Sequence, residues 1–168
     1  MIRLLKNELN RKRAKAKPEP DEELIRLRRM LKREIKMKFF GALKLYVIDT
    51  GSCSACELEL QALFNPLYNL TEIGVEVVYN IKDADMLFVT GLFSTNMRRE
   101  VARIYRDLKA PKHLIAIGEC PLGTSVFKES FALENQREKF FEKSHTIAGC
   151  PPDPRTLIRG LLRYLEKI

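Results

Sequence analysis

The sequence contains no apolar run approaching the roughly 18 residues needed to cross a bilayer, which excludes a membrane-spanning helix. Met1 to Lys17 is too charged for a secretory signal. The expectation is a protein of the cytosol, or one held peripherally on the cytoplasmic face of a membrane. Histidine is scarce: His113 and His145 have the spacing of neither a metal pair nor a catalytic dyad, and both read as structural residues at strand starts. Nothing else resembles a nucleophile paired with a base, so no catalytic centre is expected in this chain alone. There is no internal repeat, and no low-complexity segment beyond the basic N-terminus. Cysteine is also sparse, at 4 of 168 residues, so where the four fall carries the information.

At 168 residues and 45% hydrophobic content the chain suits one globular domain and is short for two. Its net charge of +8 is unevenly placed. Residues 1–40 hold 14 of the 30 basic but 6 of the 22 acidic residues, leaving 16 of each beyond. Such a basic arm suits nucleic acid, anionic headgroups or an acidic partner surface. No aromatic-interleaved basic patch accompanies it, and nucleic acid is not expected as a partner.

Residues 1–17 read as a basic helix or a disordered arm, and Pro18-Glu19-Pro20 breaks the chain before Asp21, which suits an N-cap. The following helix is predicted to run to about Lys38. Leu24, Leu27, Leu31 and Ile35 fall on one face and the basic residues on the other. That stripe suits either an outside surface, partner or membrane, or the protein's own domain. Residues 1–40 are therefore expected to form a basic helical docking arm and residues 41–168 an α/β domain. Beyond Gly41, short apolar strands alternate with helical stretches, which predicts a mainly parallel sheet with helices on both faces. The candidate strands are Leu43 to Asp49, Val75 to Tyr79, Met86 to Val89, His113 to Ile117 and Thr146 to Ala148. Helical stripes are Met97, Val101, Ile104, Tyr105 and Leu108, then Leu157, Ile158, Leu161, Leu162 and Leu165, the second starting at Asp153-Pro154.

Each cysteine follows a strand. Cys53 and Cys56 come after the first, Cys120 after the fourth across Gly118-Glu119, and Cys150 after the fifth across Gly149. In a parallel sheet the strand ends lie along one edge, so the four thiols should converge there, where open α/β sheets place their ligands. An iron-sulfur cluster, a structural zinc ion and disulfides compete for such a set. Disulfides are disfavoured in a reducing cytosol. Zinc usually draws on two close pairs of cysteines, not one pair and two distant single residues. Gly51, Gly118 and Gly149 permit tight turns beside a bulky group, whose sulfurs could accept from backbone N–H groups. The favoured reading is one 4Fe-4S cluster on Cys53, Cys56, Cys120 and Cys150. A zinc-stabilised nucleic-acid-binding module is the rival from another class.

The segments Gly51-Ser-Cys-Ser-Ala-Cys-Glu-Leu-Glu59, Ile117-Gly-Glu-Cys-Pro-Leu-Gly123 and Gly149-Cys-Pro-Pro-Asp-Pro154 together resemble the small-subunit family shared by NiFe hydrogenases and respiratory complex I. The resemblance covers about residues 42–166. It implies a flavodoxin-like sheet carrying one 4Fe-4S cluster, the one nearest the active site of a NiFe-type large subunit. The CxxC spacing follows the hydrogenase-type members rather than the adjacent cysteines of complex I. The short form is similar to the membrane-bound, energy-converting group, including formate hydrogenlyase-type complexes, with a ferredoxin-like iron-sulfur subunit and membrane-arm subunits as further partners. Sulfur-reducing and complex I-like assemblies use equivalent subunits. Glu59 matches a family acidic residue just past the second ligand, and the resemblance implies a proton-transfer or redox-coupling role there.

Overall fold

The computed structural model describes residues 21–135 and 137–168. The first element is α1, Glu22–Lys38, capped by the Asp21 carboxylate, which accepts from the Leu24 N–H at 3.0 Å. Then follow β1 (Leu43–Asp49), α2 (Ala55–Ala62), β2 (Val75–Val77), β3 (Met86–Thr90), α3 (Arg98–Asp107), β4 (His113–Ile117), α4 (Arg137–Phe141), β5 (His145–Ile147) and α5 (Pro154–Leu165). The basic segment 1–20 lies outside the described residues. Among the described residues no helix is long and apolar enough to cross a membrane.

All strand pairings are parallel, and the order across the sheet is β2-β1-β3-β4-β5. Parallel strands buried on both faces read as unbroken apolar runs, as β3 and β4 do, each with all five residues buried. The pleat then divides their side chains between two cores. Leu45, Met86, Phe88, Ile115 and Ile117 pack with α1, α2 and α5. Ile48, Leu87, Val89, Leu114 and Ala116 pack on the other face with Val101 and Ile104 of α3 and Phe141 of α4. This is the doubly wound, flavodoxin-like arrangement, with its switch point between β1 and β3.

The strand readings hold to within a residue except at β2, which ends at Val77 instead of Tyr79. Its ladder with β1 stops at Leu45↔Val77, and Tyr79 stands 93% exposed. The amphipathic helix resolves in favour of its own domain. Leu24, Leu31 and Ile35 of α1 are buried in the same core as Leu157, Ile158 and Leu161 of α5. Asp21 pairs with Arg155 and Glu23 with Arg159, while Arg28 reaches Glu72 at 2.9 Å. The boundary expected near residue 41 does not separate α1 from the rest: burial of the Leu24, Leu31 and Ile35 stripe makes it part of the fold. Exposed ion pairs add little; the apolar stripe holds the helix.

Both histidines start strands, His113 in β4 and His145 in β5. His113 Nδ1 lies 2.8 Å from the Tyr164 hydroxyl, and His145 Nε2–H donates to the Gly160 carbonyl at 3.1 Å. They fasten α5 to the sheet at the edge opposite the cysteines. Burial holds both imidazoles below their ordinary pKa.

Candidate metal centre

The loop after β1 is shaped by its own short side chains. The Asp49 carboxylate accepts from the Gly51 N–H at 2.9 Å, and the Ser52 hydroxyl accepts from the Ser54 N–H at 3.0 Å. Ser54 then takes a left-handed conformation, φ 65°, and α2 begins at Ala55. Cys53 is left exposed on the loop, while Cys56, in the first turn of α2, is buried. Thr50 ties this loop to the one after β3, since its hydroxyl oxygen accepts from the Phe93 N–H at 2.9 Å.

Cys120 is buried in a tight turn after β4, closed by Gly123 N–H donating to the Cys120 carbonyl at 2.9 Å. Cys150 is exposed, just ahead of Pro151-Pro152 and the α5 cap. At that cap Asp153 accepts from the Arg155 and Thr156 N–H groups at 2.9 and 3.1 Å. All four thiols are free, and all sit at the carboxyl edge of the sheet.

Two observations bear on how near the loops and thiols lie. A Cβ added at Gly118, φ +84°, would stand 2.9 Å from Cys56 Sγ and 3.2 Å from the Gly149 carbonyl oxygen. The loops after β1, β4 and β5 therefore meet at a point where only a hydrogen fits. The Cys56 thiol is pushed up to about 12, first by burial, then by the charge of Glu57, then by Cys120, Cys53 and Cys150. Cys120 is raised too, by burial foremost, against a Ser125 hydrogen bond that favours the thiolate, with Cys150 and Cys53 contributing. The cysteines are close enough to feel each other as charges.

Among the described residues, no group of three or more His, Cys, Asp or Glu side chains surrounds a single point as ligands of one ion would. Thiolates bound to the separate irons of a cube stand further apart than thiolates sharing one ion. Four free thiols at one sheet edge fit a cube in their donor chemistry.

The family model described as NADH ubiquinone oxidoreductase, 20 Kd subunit, matches residues 53–164, a span that starts at Cys53 and takes in all four cysteines. The chain belongs to this family. Within it, a probable membrane-bound hydrogenase subunit of Pyrococcus furiosus is 34% identical over 132 residues, covering 78% of this chain and 79% of that protein. Formate hydrogenlyase subunit 7 of Escherichia coli is 28% identical over 145 residues, 86% of this chain and 55% of its own length. Among solved structures, the membrane-bound sulfane sulfur reductase, an archaeal respiratory membrane complex, contains a chain superposing with TM-score 0.62. It covers 82% of this chain and 73% of that one at 20% identity, a likeness of fold. Members of the 20 Kd subunit family thus recur in hydrogenase and complex I-type membrane complexes.

Two residues near the thiols, Glu57 and Ser125, escaped the sequence reading. Glu57, not Glu59, is the carboxylate whose charge acts on Cys56, and its Oε2 accepts from the Ser52 hydroxyl at 3.1 Å while Oε1 is buried without a donor. Glu59, half-buried, lies one turn past Cys56 on α2. Ser52 was legible as a turn residue, and Ser125 left no signal in the sequence because it reaches Cys120 only through the fold of the 120–125 turn.

Proposed function

We propose that the chain is the electron-transfer subunit of a membrane-bound, NiFe hydrogenase-like respiratory complex, with Cys53, Cys56, Cys120 and Cys150 holding one 4Fe-4S cluster. The observation that carries the reading is the meeting of Cys56 with Gly118 at the sheet's carboxyl edge, where the Cys53, Cys120 and Cys150 loops also end. A bound cluster supplies one-electron chemistry. The chain's own work is to give four thiolates, to keep Cys56 and Cys120 dry, and to leave Cys53 and Cys150 at the surface, where a neighbour can approach. Burial lowers the dielectric around the site. Ser125 offers a hydrogen bond to a ligand sulfur, and Glu57 places a negative charge beside another. Both are recognised means of setting a potential.

On this reading the cluster faces a NiFe-type large subunit, which holds the active site. A ferredoxin-like iron-sulfur subunit and membrane-arm subunits complete the assembly on the cytoplasmic face of the membrane. The basic segment 1–20 docks on that assembly or its lipid. Glu59 serves proton transfer. The CxxC spacing favours the hydrogenase type. The family description favours the equivalent subunit of a complex I-like assembly, and the two differ in the large subunit. The test is anaerobic purification of the complex through a tag on this chain, with electron paramagnetic resonance of the dithionite-reduced sample. A one-electron cluster signal that follows this chain supports the proposal. A colourless, resonance-silent preparation containing zinc overturns it.

A further inference from the structure

One edge of the sheet is only half closed. On the β2 side, Leu43 N–H donates to the Gly74 carbonyl and the Leu45 carbonyl accepts from Val78 N–H, after which the ladder ends. On the other side the Lys44 carbonyl accepts from Asp85 N–H, and β3 pairs with β1 as far as Asp49. Because backbone direction alternates along a parallel strand, Val47 and Asp49 turn their N–H and C=O groups toward the side that β2 has left. Among the described residues no backbone partner meets them there.

The start of this bare half-strand, Tyr46 and Val47, lines a groove of about 750 Å³ between α2 and the end of β2. Its walls are largely apolar, including Val47, Leu60, Phe64, Val77 and Tyr79, and among the described residues the charged ones that line it are Glu57 and Glu76. Val77 is 37% and Tyr79 93% exposed. An unpaired sheet edge beside apolar pockets is the setting in which an extended peptide adds as a strand, with side-chain pockets giving specificity. Among the described residues neither carboxylate has a lysine or arginine partner, and the two set the charge of the guest.

We infer that the free half of β1, from Tyr46 to Asp49, together with the α2–β2 groove, receives an extended segment of a neighbouring subunit. That segment has alternating apolar side chains and one or two lysines or arginines that meet Glu57 and Glu76. It pairs with Val47 and Asp49 as an added strand. Residues 1–20 of this chain are basic too, but Arg11, Lys12, Arg13, Lys15 and Lys17 crowd together, and burying such a run against an apolar wall strands charges that two carboxylates cannot meet. The inference rests on the chain working within a multi-subunit assembly and is independent of which metal the cysteines hold.

The test places a photo-cross-linking benzoylphenylalanine at position 79, an exposed site, in the full chain within its purified complex, and maps the cross-linked peptides. The expected product is one extended segment of a neighbouring subunit that contains lysine or arginine. Amide exchange at Val47 and Asp49 is then slower in the complex than in the chain alone by about tenfold or more, as for a newly paired strand. Cross-links to residues 1–20, to lipid or to a helix overturn the inference, as does unchanged exchange at both amides. If the chain purifies with no other subunit, the assembly reading itself fails. If the complex is intact and position 79 finds another target, only the groove's assignment fails.

Discussion

Cys56 Sγ packs directly against the backbone of Gly118, the residue that turns the chain from β4 toward Cys120, so that a Cβ there would lie 2.9 Å from the sulfur. One contact thus joins the first cysteine loop to the second, and Gly149 closes on the same point from the third. Gly118→Ala must displace either the thiol or the turn. It also puts a side chain at φ +84°, a left-handed conformation that costs about 1–2 kcal/mol. The expected outcome is a folded chain that loses most of its iron. Circular dichroism and iron content check it: normal iron in the variant would show that the contact does not matter to the site.

The thiols should differ in reactivity when no metal is bound. Cys53 and Cys150 are exposed; Cys56 is buried and kept protonated, its pKa raised from 9.0 to about 12. Iodoacetamide near neutral pH should label Cys53 and Cys150 well before Cys56, since the thiolate is the reacting form. Peptide mass mapping reads the order. The same shift has a consequence for stability. A thiol whose folded-state pKa lies above its unfolded value contributes fully below pH 9, and that contribution is lost as pH rises from 9 toward 12. The metal-free chain should therefore melt at falling temperatures across that window.

The two histidines act at the other end of the pH range. Burial depresses both in the folded state, so unfolded imidazoles protonate first as pH falls. Their contribution is present above the ordinary value of 6.5 and is lost below it. A His113→Gln, His145→Gln double variant should show a flatter melting profile between pH 7 and 5 than the parent chain.

Because α1 belongs to the core, its loss differs from loss of the segment before it. Leu31 is fully buried, and Leu31→Ala should cost about 2–5 kcal/mol, the range for a buried leucine cut to alanine. Arg155→Ala, at a partly exposed ion pair, should cost less than about 1 kcal/mol. Denaturant melts compare the two. Removing residues 1–20 should loosen the chain's hold on its complex, whereas removing residues 1–40 takes away the buried α1 stripe and should unfold the chain.

Glu57, Glu59 and Ser125 give the potential a sign test. Removing a negative charge favours the reduced state, so Glu57→Gln should raise the cluster potential, and more than Glu59→Gln does. Ser125→Ala removes a donor to the Cys120 sulfur and should lower it. Redox titration followed by resonance spectroscopy measures all three. If Glu59 passes protons, its Gln variant should also lose physiological turnover while keeping electron transfer to an artificial dye.

The sheet was legible because parallel strands are apolar runs: β3 and β4 show it in Met86–Thr90 and His113–Ile117, every residue of which is buried. The cysteines were legible because each follows such a run. The destination of α1 was not, since a stripe of Leu24, Leu31 and Ile35 specifies an apolar surface without saying whose. The end of β2 was hidden for a related reason. Val78 and Tyr79 have strand-like side chains, and only the missing partner along β1 shows that the ladder stops at Val77. Ser125 and Glu57 matter through proximity made by the fold, which no spacing announces.

The most direct measurement is iron, sulfide and zinc content per chain in the anaerobically purified complex, for the parent and for Cys53→Ala, Cys56→Ala, Cys120→Ala and Cys150→Ala. Iron held elsewhere in the complex is subtracted by reference to a complex lacking this subunit. The account predicts about four iron and four sulfide from this chain, the content of a cube on four cysteine thiolates, with no zinc and with loss of the cluster in each of the four variants. Zinc in place of iron, or an intact cluster after replacement of any one of the four, would contradict it.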